Sequence, residues 1–401
     1  MPRRKRILLL PNTNTLSHAA RAFACADWLE AAGYETHVGL SERRLAWAST
    51  HHRRCHPLRE LWETSGVPFP CIGWFSEAVH IEHCFRSQAS VLKHVQPDLV
   101  VGIFDFISAA VAPPVPRISI NGACMMPFYP GVLGFDEVCT EARRTQQRIL
   151  DNFWRYGARS FAGPCRARRA EPRERLNECL LGDVNLLYEI EEIGRLSPLP
   201  DHCHWIGPIF WEGWERLGAV IPWSREDSRP TIYVNSGTLT KDRWLTDQII
   251  QACLRVGARV LVSSGAEGAS VASDRLLCQP FLPPRTATEL ADVVVCTGGA
   301  GACYTHLRQG VPSLVVPTQP EQATNGLNLE AAGCGRVLIK NQVFLGHSVV
   351  YEKAFDRGRF EDELRGMVDE RAVLGALKAV RQRLEACDTR GRFLSVVTRL
   401  L

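Results

Sequence analysis

Short apolar runs bounded by turn residues recur in two series, and this recurrence constrains the fold more than any other feature. The first series is Ile7–Leu10, Thr36–Leu40, Asp98–Phe104, Arg117–Ile120 and Leu186–Tyr188. The second is Thr231–Asn235, Arg259–Ser263, Asp292–Cys296 and Ser313–Pro317. Runs this short and this apolar suit strands covered on both faces, as in parallel sheets whose crossovers are helices. Helical stretches separate the runs, so each series reads as a doubly wound α/β unit. The 401-residue length suits two domains of about 100–200 residues each.

Between the series lies Phe210–Arg229, with three Trp, two Gly, one Pro and no periodic pattern. It reads as an interdomain connection. The expected organisation is a first domain at 1–209, a linker at 210–229 and a second domain at 230–385. A last helix at 386–401 is left over once the second half is complete, and is expected to return to the first domain. At the chain start, Ser17 is placed to cap a helix that runs to about Ala32 and stops at Gly33.

Composition excludes several classes. Apolar residues make up 45% and charged residues 22%, as in ordinary globular proteins. The basic start Arg3–Arg6 is followed by only four apolar residues before Pro11, too few for a signal peptide. No 18-residue apolar stretch exists to span a membrane. Fifteen cysteines, an odd number without a C-x-x-C, fall within apparent strands and helices, such as Cys25, Cys253 and Cys296. They read as reduced thiols, and the expected location is the cytoplasm. His202-Cys203-His204 has no second ligand pair at zinc spacing and reads as a loop.

A net charge of +4 is too small to imply nucleic acid. Arginines nevertheless crowd the 143–175 stretch: Arg143, Arg144, Arg148, Arg155, Arg159, Arg166, Arg168, Arg169, Arg173 and Arg175. A solvated helical face is the favoured reading, and contact with a phosphorylated acceptor or an anionic membrane surface the alternative. Oligomeric state is not readable.

The chemistry is concentrated in Ala291–Ala302. The run Val293-Val294-Val295-Cys296 leads into Thr297-Gly298-Gly299-Ala300-Gly301, and a helix follows to about Gln309, stopped by Gly310. Glycines let an anion approach backbone N–H groups, and a helix N-terminus adds partial positive charge. Together they form a seat for a diphosphate, although such a turn also serves as a plain β–α connection. Glu321 and Gln322 fall where the next strand meets its helix, a place for binding sugar hydroxyls or for capping the helix. Asn235-Ser236-Gly237-Thr238 makes a third turn on the same edge.

These pieces, in this order, resemble the nucleotide-sugar-binding half of GT-B glycosyltransferases. They are most similar to the family-1 enzymes that glycosylate natural products, and more distantly to MurG-type transferases. The resemblance is carried by the apolar strand, Gly-Gly-x-Gly, Gly310-Val311-Pro312, Glu321-Gln322 through Asn325, Gly333-x-Gly335 and Ser236-Gly237-Thr238. It implies two facing Rossmann-like domains, with the acceptor on the first and a UDP- or TDP-sugar on the second. It further implies that Gly237, Thr238, Gly298, Gly299, Ala300 and Gly301 bind the diphosphate. Leu282, Pro283 and Thr305 would meet the nucleoside, and Glu321, Gln322 and Asn325 the sugar. The sequence departs from that family at three places. Thr297 replaces a histidine, Ala302 a hydroxyl-bearing residue, and Thr305 a glutamate that holds the ribose.

The same resemblance places a catalytic base at His18, one helix length before Gly33-Tyr34-Glu35, with Asp105 as the nearest match for its carboxylate partner. Imidazole, with a pKa near ~6.5, suits a base for inverting transfer to a hydroxyl. A surface or capping histidine is the alternative. With no Asp-x-Asp motif suitably placed, no metal or other cofactor is expected. The expected activity is inverting hexosyl transfer from a nucleotide sugar to a small, natural-product-like acceptor. A non-catalytic nucleotide-sugar-binding protein and a nucleotide-sugar epimerase are the alternatives. Trp74, Phe75, Met125, Met126, Phe128 and Tyr129 are candidates for an apolar acceptor pocket or for core.

Overall fold

Ile7, Leu8, Leu9 and Leu10 are almost wholly removed from solvent, because their strand lies in the middle of a sheet with helices over both faces. The computed structural model describes residues 3–401 except 49, 53, 64–70, 113, 136–139, 217–220, 226, 236, 238–242, 265–269, 340–341, 345–354 and 370. The first sheet is built from β1 (Arg6–Pro11), β2 (Glu35–Ser41), β3 (Cys55–Leu58), β4 (Leu99–Ile103), β5 (Arg117–Asn121), β6 (Val184–Leu187) and β7 (Cys203–Trp205). Its order is β3-β2-β1-β4-β5-β6-β7, and all pairings are parallel.

The second sheet repeats the plan with β8 (Thr231–Asn235), β9 (Arg259–Ser263), β10 (Val271–Ala272), β11 (Leu276–Gln279), β12 (Val293–Cys296), β13 (Ser313–Val315) and β14 (Gly335–Val337). Its order is β10-β11-β9-β8-β12-β13-β14, parallel except for the β10–β11 hairpin. In each sheet the chain first builds outward on one side, then crosses back over its own first strand. That leaves a crevice at the carboxyl ends of β1 and β4, and another at those of β8 and β12, where such sheets bind ligands.

Two units emerge from the packing. One comprises Met1–Pro130, Arg148–Trp211 and Asp388–Leu401, the other Gly131–Gln147 and Glu212–Cys387. The segment 131–147 therefore belongs with the second unit, where the sequence reading gave it to the first. Gly134 donates its N–H to Thr324 Oγ1 at 2.8 Å, and Gln146 Oε1 accepts from the Phe344 N–H at 2.8 Å. These are buried polar bonds that composition does not announce. Of the expected linker, 210–211 groups with the first unit and the rest with the second. Trp211 packs against the rings of Phe23, Trp47 and His51.

The last helix, Thr389–Leu400, is part of the first unit. Asp388 caps it by accepting from the Gly391 N–H at 2.9 Å. Phe393 is fully buried against Trp28, and Arg392 donates to the Trp205 carbonyl.

Strands absent from the sequence reading lie at or next to sheet edges: β3, β7, β10, β11 and β14. Cys-His-Pro-Leu in β3 carries no apolar run, and an edge is where a strand tolerates Pro57. The first helix spans Leu16–Ala31 with Thr15 at its N-cap, so Ser17 lies within the first turn rather than capping it. No helix among the described residues is long and apolar enough to cross a membrane. His202-Cys203-His204 runs into β7 rather than forming a loop.

Candidate functional site

Each unit carries its own half of the candidate chemistry. In the second unit, the register of β12 aligns Cys296 with Asn235 of β8 and Val315 of β13. The turns that follow these three strands therefore leave the sheet at one edge. Gly298 adopts φ +91°, and a Cβ there would lie 2.6 Å from the Gln322 carbonyl oxygen and 2.7 Å from Val315 Cγ1. Only glycine fits. Gly299 is the N-cap of the Ala300–Gln309 helix, and a Cβ at that position would meet nothing within 4 Å. No side chain caps this helix, so its first-turn N–H groups are left with no side-chain acceptor at the cap and carry the helix's partial positive charge. Gly310 ends the helix in the left-handed conformation, as expected.

The remaining donor-side residues sort by what they already hold. Asn325 donates to the Gly298 carbonyl at 2.8 Å and to Glu321 Oε1 at 3.0 Å, so it fastens the glycine turn to the Pro320–Ala331 helix. Gln322 accepts at its side-chain Oε1 from the Thr318 N–H and hydroxyl, at 2.9 and 2.8 Å, which braces the helix start. Glu321 is half-buried beside them. Thr305 donates its hydroxyl to the Gly301 carbonyl at 2.9 Å, which leaves it only acceptor capacity. Leu282 and Pro283 are buried, so their loop offers a ligand backbone rather than side chain. Gly237, at φ +70°, sits exposed with its Cβ position 3.5 Å from Thr297 Oγ1. Thr238 lies outside the described residues. Ala300 and Gly301 form the first turn of the helix.

In the first unit, His18 stands on the first helix at the carboxyl edge of β1. Its Nδ1 lies 2.8 Å from the Asn12 carbonyl oxygen and 3.1 Å from Asn14 Oδ1. A carbonyl can only accept, so Nδ1 carries the proton and Nε2 the lone pair. That tautomer is the one a general base requires. Burial of the ring, then the nearby Arg21 guanidinium, hold its pKa down at about 3, against the raising effect of the Asn12 bond. Arg21 is itself buried, with its guanidinium 3.8 Å above the Tyr188 ring. The Phe104 ring lies 5.3 Å from that of His18. Phe104 has φ +53°, rare for so bulky a residue, and its N–H donates to Asn121 Oδ1 at 3.1 Å.

Asp105 does not meet His18. Its Oδ1 accepts from Gln88 Nε2 and the Ile107 N–H, both at 3.1 Å, and its Oδ2 from the Ser108 N–H at 3.2 Å. The carboxylate is spent on the turn that starts the short Ser108–Val111 helix. The pairing with Asp105 that the resemblance implied is therefore corrected: the Asn12 backbone oxygen and the Asn14 amide oxygen hold Nδ1 instead. Nothing in the polar turn Pro11–Leu16 distinguishes these two asparagines from ordinary loop residues. Trp74, Phe75 and Met126 are buried in core clusters, and Met125, Phe128 and Tyr129 pack at their margins.

Known proteins resemble this chain in sequence and in fold. Residues 235–351 match the glycosyltransferase family 28 C-terminal domain. A PGL/p-HBAD biosynthesis rhamnosyltransferase of Mycobacterium bovis is 26% identical over 352 residues, covering 84% of this chain and 77% of that protein. The glycotransferase of kitacinnamycin has a TM-score of 0.70 at 17% identity, with full coverage of both chains. Spinosyn rhamnosyltransferase SpnG, solved with thymidine diphosphate, has a TM-score of 0.66 at 14% identity, covering 98% of this chain and all of that one. The chain is a glycosyltransferase of the GT-B fold, and its residues 235–351 match the glycosyltransferase family 28 C-terminal domain.

Proposed function

We propose that this glycosyltransferase moves a 6-deoxyhexose, rhamnose being the first candidate, from a thymidine or uridine diphosphate sugar to a hydroxyl of a natural-product-like acceptor. Transfer proceeds with inversion. His18 Nε2 takes the proton of the acceptor hydroxyl as its oxygen attacks the anomeric carbon. The glycosidic bond to the diphosphate breaks on the opposite face. The imidazolium keeps its Nδ1 proton on Asn12 and Asn14.

The departing diphosphate carries growing negative charge. The N–H groups at the start of the Ala300–Gln309 helix, opened by Gly298 and Gly299, are suited to receive it without a metal ion. Glu321 and the brace formed by Gln322 and Asn325 stand where sugar hydroxyls would be read. The donor sugar is suggested by the relatives' names, and the base by the tautomer of His18. That tautomer is the observation that carries the reading: a half-buried imidazole, held neutral, with its lone pair on the nitrogen not used by the fold.

The test is a transfer assay with TDP-rhamnose and UDP-glucose against a panel of phenolic and macrolide acceptors, run with the native chain and His18→Ala. Loss of a general base is expected to lower the rate by about 10²–10⁴-fold and to leave nucleotide affinity, read by calorimetry, unchanged. Undiminished transfer by His18→Ala would remove the base assignment.

A further inference from the structure

We propose that Glu60 supplies the carboxylate of the His18 base by acting through a single peptide group. The inference rests on the reading of His18 as the base. The Asn12 carbonyl that accepts from His18 Nδ1 and the Thr13 N–H belong to the same peptide unit. On its other side, that N–H donates to both carboxylate oxygens of Glu60, at 3.0 Å to Oε1 and 2.9 Å to Oε2. The arrangement is carboxylate, peptide, imidazole. A negative charge at the N–H draws electron density toward the carbonyl oxygen, and hydrogen bonds in a chain strengthen one another. The Asn12 oxygen thus becomes a better partner for Nδ1–H, most of all when Nε2 has taken a proton and the ring is positive. Proton positions balance simply: Nδ1 keeps its proton, the peptide keeps its own, and the relay operates in the ionised form of Glu60. Glu60 does not touch the reacting atoms and is a positioning residue.

The surroundings of Glu60 are built for this orientation. Thr13 is fully buried, and its hydroxyl also donates to Glu60 Oε1, at 2.7 Å. The Thr13 Oγ1 in turn accepts from the Ser41 N–H at 3.3 Å. Trp62 donates its indole N–H to Glu60 Oε2. The Glu60 backbone is pinned as well, its N–H to Glu63 Oε2 at 3.1 Å and its carbonyl beside His80 Nε2 at 2.9 Å. Among the described residues every hydrogen bond to the carboxylate comes from a donor, which matches an ionised group.

Among the described residues, the other charged or titratable groups near Glu60 include Glu63, Arg44, Cys84 and His80, and Arg59 and Asp105 line the same small cavity as Glu60, Asn12 and Gln88. Burial raises the Glu60 carboxyl to about 7, opposed by the Thr13 and Trp62 bonds. Its ionisation therefore falls where it can be followed at working pH.

The test needs no acceptor. In the full chain labelled with 15N-histidine, the His18 ring resonances are assigned by their loss in His18→Gln and followed from pH 5.5 to 8.5. The native protein is expected to show the Nδ1 proton moving downfield with a midpoint near 7, and Glu60→Gln is expected to abolish that movement while retaining the fold. A flat native profile, or the same movement in Glu60→Gln, overturns the proposal. If Glu60→Gln does not fold, Trp62→Phe keeps the question open to an answer: removal of one donor should shift the midpoint upward, and an unmoved midpoint overturns the proposal. Hydrolysis of TDP-rhamnose, read as TDP release, separates the two readings. Loss in His18→Ala together with an unchanged pH profile in Glu60→Gln rejects the peptide relay alone. Retention in His18→Ala rejects the base itself.

Discussion

Asn325 donates its side-chain amide to the carbonyl of Gly298 at 2.8 Å, so the helix after β13 holds the glycine turn after β12 in place. The turn's shape is thus a property of two crossovers and not of the glycines alone. Gly298→Ala would press a methyl onto backbone 2.6 Å away at a φ of +91°. A stability loss of about 1–3 kcal/mol is expected, measured by urea denaturation, together with at least about a tenfold loss of nucleotide affinity by calorimetry with TDP and UDP. Gly299→Ala is the contrast, because its methyl meets no protein atom within 4 Å. The fold should be unaffected, and any loss of nucleotide affinity there reports a ligand at that surface. Unchanged affinity in both variants would remove the turn from the donor site.

Asp105 provides a separate expectation. Its oxygens cap the Ser108–Val111 turn and hold Gln88, and none reaches His18. Asp105→Asn should therefore cost about 1 kcal/mol of stability and change the turnover rate by less than about tenfold. The loss of a carboxylate that orients a catalytic histidine is of order 10⁴-fold. Steady-state kinetics beside a denaturation curve decides the matter, and a rate loss on that larger scale would restore Asp105 to the dyad.

The pH dependence of stability should bear the mark of His18. Its folded pKa is depressed by burial first and by Arg21 second, to about 3, whereas free imidazole titrates near ~6.5. Between those values the unfolded chain binds a proton that the folded chain does not. Stability contributed at this position is present above about pH 6.5 and is lost as pH falls toward 3. Replacing His18 with Gln should flatten that acid-side decline in urea midpoints. An equally steep decline in the variant would show that His18 is already protonated in the fold.

The arginine-rich stretch allows a fourth measurement. Arg168 and Arg175 are committed to Glu82 and Asp151, at 2.8 and 2.9 Å. Arg155, Arg159 and Arg166, by contrast, are exposed and recur at 4 and 7 residues along one side of the Thr140–Ala167 helix. If this row meets anionic lipid, each basic residue contributes about 1 kcal/mol near the surface. Co-sedimentation with phosphatidylserine vesicles should then be strong at low salt, weak at high salt, and lost when all three are changed to Glu. Absence of binding at low salt would leave the row as solvated surface.

Much of the plan was legible before any coordinates. Central strands announce themselves because burial on both faces demands an uninterrupted apolar run, as in Ile7–Leu10 and Val293–Cys296. Gly298 and Gly310 were legible because their positive φ values exclude other residues. Edge strands such as Cys55–Leu58 were not, because an edge neither requires apolar side chains nor forbids proline. Asp105 was misplaced for a related reason: distance along the chain says which strand end a carboxylate follows, but not which donors will claim it first.

Local chemistry by itself determined the central parallel strands of the two sheets, the glycine turn before a helix, and a histidine at a strand's carboxyl edge. Those features depend on periodicity and backbone sterics within a dozen residues. Tertiary structure alone decided that segment 131–147 joins the second unit, that Asn12 and Asn14 hold His18, and that Glu60 lies behind the Asn12–Thr13 peptide. Each of these depends on which buried donor finds which acceptor across tens of residues. Hydrogen bonds of that kind are satisfied only by the packed fold, and they leave no pattern in the order of the amino acids.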